Sequence, residues 1–272
     1  RDVLATGKHV LCEKPLCTTT ADCLTLIELA EDYPGVVQVG LEYRYMPAVA
    51  DLIERVEDGA VGTVHMVAIR EHRFPFLEKV GDWNRFSRNT GGTLVEKTCH
   101  YFDLMNLIVQ QRPVQVFASG AQSVNHLGET YDGAPSDILD NAFVIVDFDG
   151  GARAMLDLCM FAEATLDQEE LSVVGDEGKV DARIPTSVVH VGRRDEHSIG
   201  RVETHKIDNP EIRHEGLHHG SSYLEHVEFA RSIRTGTPAA VTLEDGLWSV
   251  AMGDAAHRSI ADNRPVRLDE FI

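Results

Sequence analysis

Strand, helix and strand follow one another within the first forty residues of this chain, and two strands joined by a single helix run parallel. His9-Val10-Leu11-Cys12-Glu13 is a short, mostly apolar run after a Gly7-Lys8 turn, the pattern of a buried strand. Thr18 to Thr20 offer a helix cap ahead of an apolar-periodic stretch through Leu24, Ile27, Leu29 and Ala30. Pro34-Gly35 stops that helix, and Val36-Val37-Gln38-Val39-Gly40 supplies the second strand. Two strands are too few for a stable open sheet, so the unit requires partners.

The regime then changes. Pro47 to Gly59 is helical by pattern, and from Gly62 to about Val202 the chain is rich in β runs: Val64–Ile69, Val114–Ala118, Ala142–Phe148, Ala152–Leu158, Glu170–Val174 and Val188–Val191. Glycine-containing turns such as Asp149-Gly150-Gly151 separate them, which predicts an antiparallel sheet of hairpins with an open face forming one wall of a cleft. One helix, Leu94 to Ile108, interrupts the sheet, and two more, near Ser221–Ile233 and Leu243–Ile260, follow it. The expected class is a partial parallel α/β unit, residues 1–46, followed by an α+β domain, residues 47–272.

Composition narrows the function. With 25 basic and 44 acidic side chains the net charge is −19, a field that repels phosphate backbones and anionic lipid. Nucleic-acid and membrane partners are therefore not expected. Five scattered cysteines without a CxxC pair suit free thiols in a reducing cytoplasm. No apolar run reaches the roughly 18–20 residues that span a bilayer. The start, Arg1-Asp2-Val3-Leu4, has neither a methionine nor the apolar core of a signal peptide, so a preceding segment is expected.

Two strings carry chemistry. In the first, Glu13-Lys14-Pro15 ends a parallel strand at the carboxyl edge, where open α/β sheets bind ligands. Pro15 biases Lys14 toward an extended backbone and so fixes the launch point of its ammonium. A solvated charge pair capping the strand accounts for the same residues. The second string runs from Gly91-Gly92 through Glu96, His100 and Asp103. In one continuous helix those three lie at i, i+4 and i+7 on one face. A carboxylate one turn from a histidine can orient the imidazole and make it a general base near neutral pH. A surface acid–histidine pair, a core histidine and a facial metal site remain alternatives, although no second His or Cys stands at ligand spacing. Lys97 should point about 100° away from Glu96, toward an exposed or cofactor-edge position.

Together the strings Gly7-Lys8-His9-Val10-Leu11-Cys12-Glu13-Lys14-Pro15-Leu16 and Gly91-Gly92-Thr93-Leu94-Val95-Glu96…His100 resemble the Gfo/Idh/MocA oxidoreductase family. Gly40 to Pro47 and His218-His219-Gly220-Ser221-Ser222-Tyr223 resemble its further segments, so the likeness covers essentially the whole chain. The resemblance implies a Rossmann-type cofactor domain, here without its glycine-rich turn, joined to a substrate domain with a large open sheet. It implies NAD or NADP as cofactor, with Glu13 and Lys14 at the nicotinamide end. It implies hydride transfer from a secondary alcohol of a sugar, inositol or related polyol, with Lys14 steadying the reacting oxygen, His100 accepting the proton, and Glu96 standing where relatives carry aspartate. Arg44, His72 and His219 are the implied substrate-binding residues, no metal is implied, and a homo-oligomer through the sheet face is expected. An NAD-dependent glycosidase of the same fold and a non-catalytic sugar-sensing regulator are the alternatives.

Overall fold

The computed structural model describes residues 2–272. Strand β1 (Val10–Glu13), helix α1 (Thr20–Ala30) and strand β2 (Val37–Gly40) form the parallel unit, with Glu13 beside Gly40 at its carboxyl edge. Thr19 caps α1 by accepting the Asp22 amide, as its position before the apolar stretch requires. A 3-10 turn, Glu42–Tyr45, leads to helix α2 (Pro47–Glu57).

The remaining strands build one nine-stranded sheet. They are β3 (Val64–His72), β4 (Pro113–Ala121), β7 (Asn141–Phe148), β8 (Arg153–Cys159), β9 (Glu169–Gly175), β10 (Gly178–Ile184), β11 (Val188–Arg193), β12 (Glu203–Lys206) and β13 (Val266–Arg267). A small hairpin, β5 (Thr130–Tyr131) with β6 (Ala134–Pro135), stands apart. The sheet order is β12-β11-β10-β9-β3-β8-β7-β4-β13, and only β3 with β8 pair in parallel. The expected hairpin sheet is therefore present, and β10, β12 and β13 extend it beyond the runs legible in the sequence.

Alternation along the strands sorts the two faces. Val67, Ile69, Val116, Val144, Val146, Leu156, Val173 and Val180 are nearly inaccessible and face the helices. The opposite residues, Met66, Phe117, Phe143, Ile145 and Met155, are exposed. Phe117, Ile145, Met155 and Ala68 are successive cross-strand partners, so they form an apolar row across β4, β7, β8 and β3.

The single helix expected from Leu94 to Ile108 is broken into α4 (Thr93–Glu96) and α5 (Cys99–Val109), preceded by the short α3 (Ser87–Thr90). The long helix α7 (Leu243–Asp262), which follows α6 (Ser221–Thr235), braces this break and the parallel unit together. Asp254 on α7 accepts the Thr20 amide at 2.8 Å, and His257 Nε2 accepts the Leu94 amide at 3.0 Å. Gly92 has φ +85°, and a Cβ there would sit 2.5 Å from His257 Nε2, so glycine is required where the chain enters α4. Just before α7, the Val241 carbonyl accepts the Val39 amide, and Leu16, Cys23, Val39, Val95, Leu247 and Val250 share one small apolar core.

Candidate active site

Lys14 leaves the carboxyl end of β1 and crosses to the break between α4 and α5. Its Nζ donates to the Glu96 carbonyl at 2.8 Å and lies 3.3 Å from the Glu96 carboxylate. The carbonyl that would continue the helix into His100 is thus taken by a lysine 82 residues away. Burial is the largest influence on Lys14 and opposes its charge, but Glu96, Cys99 and Tyr43 together outweigh it, and the net shift of the ammonium is upward. Lys14 therefore remains a cation.

His100 begins the first turn of α5 and is only 2% exposed. Its ring stacks on Tyr43 at 4.0 Å with an interplanar angle of 6°. Its Nδ1 has no protein partner among the described residues. Burial, reinforced by the Lys14 and Lys97 charges, pushes the imidazole well below its usual range, so His100 is neutral at pH 7. Glu96 does not orient it. The carboxylate turns to Lys14 instead, and its Oε2 is buried without a partner among the described residues.

Tyr43 and Lys97 complete the floor. The break in the helix carries Lys97 inward, not to the exposed or cofactor-edge position that a continuous helix predicts. It is 5% exposed, donates to the Tyr43 hydroxyl at 2.8 Å, and pairs with Glu71 at 2.9 Å. Glu71 is fully buried and also lies 3.3 Å from Arg73. Across the sheet Glu169 faces Glu71, and burial together with that neighbouring carboxylate pushes Glu169 up to about 7. His218, on a turn ahead of α6, approaches Tyr43 with ring centroids 5.7 Å apart and places Nδ1 3.1 Å from Glu42.

Several expected site residues lie elsewhere. Asp103 does not join Glu96 and His100. It pairs with Arg44, whose Nε donates to it at 2.6 Å, and Arg44 also reaches Asp245 at 3.1 Å. Arg44, expected to bind substrate, thus has its guanidinium committed to a buried pair, with only 10% of the side chain exposed. His72 points to the open face of the sheet, where its Nε2 meets Asp157 at 3.1 Å. The cause is strand alternation, which sends Glu71 inward and His72 outward. His219 lines a separate cavity of about 610 Å³ with Pro47, Ile212 and Arg213, and none of Lys14, Glu96 or His100 borders it. In each case the preceding residue, Tyr43, Glu71 or His218, belongs to the floor. The signals that would have found them are a 3-10 turn after β2, which rotates neighbours by about 120°, and the period of two in β3. Among the described residues no three His, Cys, Asp or Glu side chains converge as ligands, and with Asp103 on Arg44 the facial triad does not form.

A charged lysine bridged to Glu96 and, one turn on, a neutral buried histidine thus stand near the carboxyl edge of the parallel unit, where open α/β sheets bind ligands. The model of the oxidoreductase family C-terminal alpha/beta domain matches residues 53–268, and that of its NAD-binding Rossmann fold matches residues 1–41. The chain belongs to the Gfo/Idh/MocA oxidoreductase family. It is 29% identical to a myo-inositol 2-dehydrogenase of Thermotoga maritima, over 97% of this chain and 74% of that protein. It is 26% identical to an inositol 2-dehydrogenase of Rhizobium meliloti, over 96% and 74%. A crystal structure of a probable dehydrogenase from Thermotoga maritima superposes with TM-score 0.75 at 28% identity, covering 99% of this chain and 75% of that one. Levoglucosan dehydrogenase in complex with NADH shares the fold, with TM-score 0.83 at 20% identity, covering 97% and 74%. As a Gfo/Idh/MocA member the chain is an oxidoreductase of an NAD-binding Rossmann family. No helix among the described residues is long and apolar enough to cross a membrane.

Proposed function

We propose that this oxidoreductase moves a hydride between NAD or NADP and a secondary alcohol of a sugar, inositol or related polyol. The observation that carries the reading is the bridge from Lys14 to Glu96, which brings a cation at the sheet edge to the turn that bears the neutral His100. The names of the inositol and levoglucosan dehydrogenases that the chain resembles support the substrate class.

The groups at the edge fit the nicotinamide end of such a cofactor. Glu13 is exposed at the end of β1 and can accept from a ribose hydroxyl, and Lys14 supplies a donor beside it. A side chain at Gly40 would come within 3.2 Å of Glu13 Cα, so Gly40 keeps the edge clear. When bound, the cofactor supplies the hydride acceptor or donor. The protein's own part is proton and charge management. His100, neutral at pH 7, takes the hydroxyl proton, and Lys14 stabilises the oxygen as negative charge develops on it. Glu96 holds Lys14 in place and keeps it charged. In this reading residues 1–46 belong to the cofactor-binding part and residues 47–272 to the substrate-binding part.

The apolar row Phe117–Ile145–Met155 fits the buried centre of an interface between two copies, and we assign it to a homo-oligomer. Light scattering should then give more than one chain per particle, and Phe143→Lys should reduce it. An absorbance assay with NAD or NADP and a panel of inositols and aldoses tests the activity. Reduced cofactor accumulating in proportion to substrate is expected. Glycoside cleavage without net reduced cofactor, or no reaction with any polyol, would contradict it.

A further inference from the structure

We propose that Glu169 is a positioning residue beneath the floor: as a neutral acid it donates to Glu71, and on ionising it adds a negative charge that eases proton transfer to His100. This deepens the dehydrogenase reading and rests on it for the role of His100.

The strands make the pair. Glu71 on β3 and Glu169 on β9 are registered partners, and both lie on the inner, helix-covered face of the sheet. Directly opposed residues of an antiparallel pair hold their Cβ atoms about 5 Å apart, near enough for two carboxyl groups to meet. Glu71 is 0% exposed and Glu169 6%. The Oε2 of each is buried and has no partner among the described residues. Two carboxylates cannot satisfy one another, because both only accept. One proton changes that, since a protonated Glu169 donates to Glu71 and both orphaned oxygens are used.

The surrounding charges decide which carboxyl holds the proton. Glu71 Oε1 lies 2.9 Å from Lys97 Nζ and accepts from Arg73 Nη1 at 3.3 Å, so two cations compensate Glu71. No cation lies within ion-pair distance of Glu169 among the described residues. Tyr43, on the turn after β2, and Tyr101, on α5, are the other titratable neighbours, and burial with the nearby carboxylates keeps both phenols neutral. Burial first, and then Glu71, push Glu169 up to about 7, so its proton is exchangeable at neutral pH.

Lys97 connects this pair to the base. Its ammonium donates to the Tyr43 hydroxyl at 2.8 Å, and His100 stacks on that ring. An imidazolium forming on His100 faces the Lys14 and Lys97 charges, which hold its proton affinity down. When Glu169 releases its proton to water, one negative charge is added behind Lys97. Transfer of the alcohol proton to His100 is then less uphill.

Infrared spectra and turnover of the whole chain with NAD or NADP, followed across neutral pH, test the assignment. In the unmodified protein the C=O band of a buried carboxylic acid should fade as the pH rises through about 7. Polyol oxidation should rise over the same range by about threefold to thirtyfold, the scale of one unit charge acting through part of a protein interior. Glu169→Gln, which keeps a donor toward Glu71, should lack that band, keep the acid-side turnover and lose the rise. Glu169→Met, an apolar replacement of similar volume, should show the same two absences and serves if the glutamine variant does not fold. The assignment is overturned if a folded variant retains the full rise, if its carboxylic-acid band matches that of the unmodified protein, or if turnover falls by one factor at every pH, as a merely structural role would give. The band fading as expected in a protein that reduces no cofactor with any polyol would sink the dehydrogenase reading and leave Glu169 as the donor to Glu71.

Discussion

Two buried charge clusters lie one residue apart in the sequence and behave differently. On one side, Arg44 closes on Asp103 and Asp245, and each of its three guanidinium nitrogens meets a carboxylate or the Ala240 carbonyl. On the other side, the floor built from Tyr43, Glu71, Lys97 and His100 retains buried polar atoms without partners among the described residues, including Glu71 Oε2 and His100 Nδ1. Buried polar groups are ordinarily satisfied, because leaving one unpaired costs roughly 1–3 kcal/mol. The closed cluster is what a fold needs for its own integrity. The open one keeps unused hydrogen-bonding capacity, which under the proposed function a substrate would meet at His100.

If that contrast holds, mutations in the two clusters separate activity from stability. The largest effect should come from His100→Asn, which removes the proton acceptor with little change of volume. Turnover should fall by about two to four powers of ten, with the unfolding midpoint nearly unchanged. A folded His100→Asn enzyme of normal turnover would erase the distinction between the clusters. Next in size is Arg44→Leu. Removing one partner of a buried pair leaves Asp103 uncompensated and should cost about 3–5 kcal/mol in a denaturant titration. The protein that remains folded should turn over at close to the normal rate, and a turnover loss without destabilisation would return Arg44 to the substrate site.

Lys97→Met sharpens the comparison further through pH. A positive neighbour lowers a histidine's affinity for protons, so removing Lys97 raises the proton affinity of His100. The acid limb of the turnover–pH profile, set by protonation of the base, should move to higher pH. An unmoved limb would mean that His100 is not the group that titrates. The smallest effect belongs to His72→Ala on the open face, where turnover should stay within about twofold and stability within about 0.5 kcal/mol. A large turnover loss there would place the substrate on the wrong side of the sheet in this account.

The same contrast explains what the sequence made legible. Elements whose cause is local were readable: β1, α1 and β2 from their apolar runs and the cap offered by Thr18 to Thr20, and α7, expected near Leu243–Ile260, which a Thr242–Asp245 capping box starts. The hairpin strands β7 and β8 were readable because Asp149-Gly150-Gly151 marks the turn between them. The family strings also pointed to Lys14 and His100. The break between α4 and α5 was not legible, because the Glu96 carbonyl is taken by Lys14, far away in the chain, while Thr98 bonds back to the Leu94 carbonyl. That break turns Lys97 inward and separates Glu96 from Asp103. Beside Arg44, His72 and His219, it is the preceding residue in each case, Tyr43, Glu71 or His218, that lies at the floor. Their orientation depends on a 3-10 turn, a strand register and a left-handed residue, His219 at φ +54°, none of which periodicity resolves.

The central claim is that Lys14 acts on the reacting oxygen rather than merely capping a strand. Lys14→Ala, assayed for turnover and for cofactor affinity on the same preparation, measures it directly. The account predicts a turnover loss of about two to four powers of ten, with a much smaller change in cofactor affinity. Turnover within a few-fold of the unmodified enzyme, or a loss explained entirely by failed cofactor binding, would contradict it.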